Sequence, residues 1–131
     1  VSGLAGLLAG RVAPGAWTWR ATYDAEEVRR AVEGAGRPFA HLDGVRVESV
    51  PELHGALAEA LGFPEWYGRN LDALAECLRD VPAETVLLWD SWAPLARAEP
   101  RVFTLAVDLL GERLSVLLRG EGPPTALPVL D

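Results

Sequence analysis

The sequence predicts an α/β fold, with a small, mostly parallel β-sheet packed with helices. Two short apolar runs, TVLLWD at residues 85–90 and LSVLL at residues 114–118, are continuous where a half-exposed strand would alternate. Such runs suit strands buried on both faces. Segments of helical periodicity, each with start and stop signals, separate the strand candidates, and that alternation implies parallel pairing through helical crossovers. At 131 residues, half of them apolar, the chain is one domain with room for a core.

Residues 1–16, VSGLAGLLAGRVAPGA, read as a loosely held arm or a short leucine-bearing helix docked on the body. A short strand is expected over residues 17–23. Asp24, with Glu27 three positions on, marks a helix start with reciprocal capping. Val28, Ala31, Val32 and Ala35 share its inner face, and Gly34 or Gly36 ends it. Residues 37–42, RPFAHL, are a strand candidate, followed by a turn at Asp43-Gly44. Ser49, Pro51 and Glu52 open a second helix, Leu53, Leu57, Ala60 and Leu61 recur along it, and Gly62 stops it.

Asn70 caps a third helix with Leu71, Leu74, Ala75 and Leu78 on its apolar side. Pro82 follows it, then the strand at 85–90. Beyond Pro94, Glu99 and Pro100 open a fourth substantial helix with Val102, Phe103, Ala106, Leu109 and Leu110 inward, ending at Gly111. The strand within 113–119 comes next, and the Gly- and Pro-containing tail is expected to be irregular.

Composition narrows the function. All 12 basic residues are arginine, against 19 acids, for a formal charge of −7. Residues 41–90 hold ten acids and three arginines, while the flanking segments are nearly balanced. A negative field in the middle of the chain disfavours nucleic-acid binding and favours a basic partner. The lone Cys77 excludes an intrachain disulfide and reads as a core residue. No apolar run is long enough to span a membrane as a helix, and no secretory leader pattern is present. The chain starts at Val1 and lacks methionine, so either an initiator was removed or the numbering starts late.

The most informative stretch is residues 63–80, FPEWYGRNLDALAECLRD. At about 100° per residue, Asp72 and Glu76 stand roughly 120° to 160° around the helix from the leucine stripe and face outward together. Asp72 lies in the first turn, where the exposed amides favour its charge. Trp66 and Tyr67 precede the helix beside Gly68, a setting typical of interface hot spots, with at least one ring expected in the core. Two acids one turn apart on one helix cannot flank a substrate, and no third ligand clusters with them, which argues against hydrolase or metal chemistry. His41 lies in a strand candidate. His54 reads as a packed or hydrogen-bonding residue, and no nucleophile or zinc motif is present.

Residues 51–78, PELHGALAEALGFPEWYGRNLDALAECL, resemble the barstar family of intracellular inhibitors of secreted guanyl-specific bacterial ribonucleases. The Tyr-Gly-x-Asn-Leu-Asp-Ala-Leu core, residues 67–74, carries most of the likeness. Strand and helix order agree over residues 37–119, giving a barstar-like core, an N-terminal extension at 1–36 with an added strand and helix, and a tail at 120–131. The resemblance implies an inhibitor that plugs a ribonuclease active site, forms a 1:1 complex, is monomeric when free and resides in the cytoplasm, with no enzymatic activity and no cofactor or metal. It implies partner contacts at Asp72 and Glu76, which match two family aspartates that meet phosphate-binding cations. Trp66 matches an aromatic contact, and Gly68, Asn70 and Leu71 match contacts around it. Asp108 aligns with a further glutamate. Glu76 is longer than the family's aspartate by one methylene, and Ala75 replaces a tryptophan. Alternatives are a barstar-like module for another basic protein or nuclease toxin, and a carboxylate-based hydrolase.

Overall fold

The computed structural model describes residues 3–131. Residues 1 and 2 of the expected N-terminal arm lie outside them. Eleven elements follow one another among the described residues: α1 Gly3–Leu8, β1 Gly15–Trp19, α2 Ala25–Gly34, β2 Phe39–Asp43, α3 Val50–Leu61, α4 Leu71–Leu78, β3 Val86–Asp90, α5 Ala93–Ala98, α6 Pro100–Arg113, β4 Ser115–Arg119 and β5 Val129–Leu130.

The strands form one sheet in the order β2-β3-β4-β1-β5, and every pairing is parallel. Both continuous apolar runs are interior strands, β3 and β4, with helices over each face. Leu87, Trp89, Val116 and Leu118 point to one face, into a core shared with Leu53 and Leu57 of α3, Leu74 and Leu78 of α4, Leu95 of α5, and Phe103 and Leu110 of α6. Val86, Leu88 and Leu117 point to the other, where Leu7 of α1 and Val28 and Val32 of α2 cover them. Alternation of side chains along each strand produces this division.

Local signals place the helix starts. Asp24 Oδ1 accepts from Glu27 N at 2.8 Å while Glu27 Oε1 accepts from Asp24 N at 3.3 Å, the reciprocal cap expected for α2. Ser49 caps α3, and Gly62 ends it in the left-handed region at φ 67, where glycine avoids a Cβ clash.

Strand ends differ more from expectation. The first strand occupies Gly15–Trp19 instead of 17–23, because its register follows Ser115–Arg119. Past Trp19 the carbonyls of Ala21 and Tyr23 accept from the Arg119 guanidinium instead of joining a ladder. Pro94 lies in the first turn of α5, Gly111 lies inside α6, and the tail contributes β5 beside β1.

Candidate functional site

The loop between α3 and α4 turns tightly, with Tyr67 N donating to Pro64 O at 3.0 Å. Its two adjacent aromatics go opposite ways. Tyr67 is 5% exposed and Trp66 is 75% exposed. The Tyr67 ring lies 4.8 Å from that of Phe63, and its hydroxyl shares a 2.6 Å hydrogen bond with Nδ1 of the buried His54 on α3. Burial, then the neighbouring Cys77, push the Tyr67 hydroxyl up to about 12 despite an opposing pull from Arg69. Burial, then the charge of Arg69, lower His54 from its ordinary 6.5. Both groups are therefore neutral at pH 7, and this pair fastens the loop to α3. His54 is the hydrogen-bonding residue expected of it.

At the other end of the loop, a Cβ on Gly68 would stand 3.2 Å from the Ala73 Cβ, so the absence of a side chain lets the loop lie close against α4. Asn70 Oδ1 accepts from Ala73 N at 2.7 Å, and Asn70 Nδ2 donates to Gly68 O at 3.3 Å. One side chain thus caps the helix and ties it to the loop. The inner side of α4 buries Leu74, Cys77 and Leu78, with Leu71 half-buried beside them. Burial pushes the Cys77 thiol up, and Asp80 and Glu76 add to the effect, so it stays protonated in the core.

Asp72 and Glu76 are exposed one turn apart on the outer side of α4, and Ala75 between them is half-buried. Six of the site residues read from the sequence, Trp66, Gly68, Asn70, Leu71, Asp72 and Glu76, therefore belong to one loop and the helix it leads into. Asp108 stands apart. It lies on α6 in a groove walled by Trp92, Phe103, Val107, Pro124 and Leu127, which no α4 residue lines. The side of α6 turned toward α4 carries Arg113, whose Nη2 donates to Arg79 O at 3.3 Å and which is roughly 140° around the helix from Asp108.

Two features escaped the sequence. Arg69 holds a left-handed backbone, φ 54, in the middle of the site, and only its place in a Gly-x-Asn step hinted at this. The second is a row of side chains across three strands: Asp90 accepts from Arg119 Nε at 2.7 Å and Nη2 at 3.1 Å, and its Oδ2 is 2.8 Å from His41 Nε2. Burial raises the Asp90 carboxyl, but hydrogen bonds from Arg119 and His41 outweigh it and hold the group below 3.8. Charged residues just after two buried-strand runs were its only sequence trace. Among the described residues no group of three or more His, Cys, Asp or Glu could hold a metal ion, and no helix is long and apolar enough to cross a membrane.

A barstar family model, described as barstar (barnase inhibitor), matches residues 37–125. The match spans β2 to β4 and includes the whole loop and α4. A protein of Bacillus subtilis (strain 168) named putative ribonuclease inhibitor YrdF is 47% identical over 49 residues, which cover 35% of this chain and 54% of that protein. The chain thus spans about half the length of this curated relative.

Proposed function

This chain belongs to the barstar family, and we propose that it binds a secreted guanyl-specific ribonuclease and sterically blocks its active site, with Asp72 and Glu76 occupying the positions of RNA phosphates. The family is one of inhibitors and not of catalysts, in keeping with the absence of enzymatic activity read from the sequence. The observation that carries the reading is the placement of Asp72 and Glu76, both exposed on one side of a capped, core-anchored helix beside the exposed ring of Trp66.

A ribonuclease holds phosphates with cationic side chains. Carboxylates held on a fixed helix meet those cations without the cost of ordering a flexible segment. Trp66 supplies a large contact area at low entropic cost, Gly68 lets the partner approach the backbone, and Asn70 and Leu71 keep the loop and helix in register. The formal charge of −7 speeds encounter with a basic enzyme. Asp108 is a peripheral contact in this reading, and residues 37–119 form the inhibitory core that 1–36 supports. The complex is 1:1, the free protein is a monomer, and the cytoplasm is where it protects the producing cell's RNA.

The test mixes purified guanyl-specific ribonucleases with the protein, follows RNA cleavage, and sizes the product. Loss of cleavage with a 1:1 complex is the expected result. Binding without loss of cleavage would favour a module for another basic protein, and RNA hydrolysis by this chain alone would overturn the reading.

A further inference from the structure

Arg69 sits between Gly68 and Asn70 with φ 54, one of two non-glycine residues of the described chain in the left-handed region. Glycine would occupy that conformation without strain. Within the fold its charge is felt at the His54–Tyr67 pair, where it lowers both groups. Among the described residues its side chain makes no ion pair, hydrogen bond or stacking contact with an aromatic ring. It is exposed, and its Nη1 rests 3.4 Å from where a Cβ of Gly55 on α3 would begin. Strain retained at an exposed surface by a side chain with no bonded partner in the fold points to a role for it in contact.

The charge of Arg69 runs against its surroundings. Glu65, Asp72 and Glu76 are the other charged residues of the loop and the helix up to its last turn, and all are exposed. An enzyme whose cationic pocket takes in Asp72 and Glu76 would repel a guanidinium at the edge of that contact, unless an anion stood opposite it.

We propose that Arg69 is a specificity-determining contact, pairing with a carboxylate at the rim of the target's cationic phosphate site. Ribonucleases lacking that carboxylate are disfavoured as targets. The inference rests on the inhibitor reading above and adds a selection rule to it: the partner's surface is mixed in charge, cationic at its centre and acidic where Arg69 lands.

The test uses the full chain against a panel of purified guanyl-specific ribonucleases. For the enzyme bound most tightly, Arg69→Gly is expected to raise Kd about tenfold, without lowering the melting temperature because the left-handed strain is released. Arg69→Glu raises Kd further. Neutralising the rim carboxylates of that enzyme one at a time, Asp to Asn or Glu to Gln, identifies one whose loss abolishes the effect of Arg69→Gly. A Kd unchanged by both Arg69 variants, or tightened by Arg69→Glu, overturns the inference and leaves the inhibitor reading standing. If the wild-type chain binds no member of the panel, both fall together.

Discussion

Adjacent residues in the α3–α4 loop divide the labour of the site. Tyr67 is buried and fixes the loop through His54, while Trp66, its neighbour, is exposed. Truncating the hydroxyl in Tyr67→Phe strands a buried ring nitrogen, and an unfolding free energy lower by about 1–3 kcal/mol in urea titration is expected. His54 also makes stability pH-dependent. Its folded-state pKa lies below 6.5, so as pH falls through that value the unfolded chain takes up the proton first. The contribution of His54 to stability is then constant above about 6.5 and declines below it. A His54→Gln variant should show a shallower decline over the same range in pH-dependent urea unfolding. That His54 packs against a partner was legible from its helical position, but that the partner is Tyr67 was not, since the hydrogen bond spans 13 residues.

At the scale of elements, α4 is only eight residues long, too short to persist alone, and it depends on its cap and its buried leucines. Asn70→Ala removes the bond to Ala73 N and the tie to Gly68 O, which should cost about 1 kcal/mol in unfolding experiments. It should also weaken partner binding, because the loop loses its fixed relation to the helix. Caps were the most legible feature of the sequence. Asp24 with Glu27, Ser49 with Glu52, and Asn70 all act on amides within three residues, so the whole signal is local. Strand limits were less legible because a partner strand sets them. Trp17 and Trp19 pair with Leu117 and Arg119, and no residue near Trp19 announces that the ladder ends there.

For the whole molecule, the non-local order β2-β3-β4-β1-β5 could not be read from local periodicity. Its consequence is that the N-terminal segment is integral to the sheet: β1 lies between β4 and β5, and α1 and α2 cover Val86, Leu88 and Leu117. Arg119 adds a polar clasp, joining Asp90 on β3 to the carbonyls after β1. Removing residues 1–36 would expose that face and free two strand edges, so the truncated chain is expected to aggregate or to lose its cooperative melting transition. The intact molecule holds α4 on the opposite layer, with Asp72 and Glu76 exposed on its outer side. The most direct measurement is the Kd and association rate for an inhibited guanyl-specific ribonuclease across a salt series, comparing wild type with the isosteric double variant Asp72→Asn, Glu76→Gln. Phosphate mimicry predicts a loss of at least about 2–5 kcal/mol in binding and a shallower salt dependence of association. A loss under about 0.5 kcal/mol, with the salt dependence intact, would contradict it.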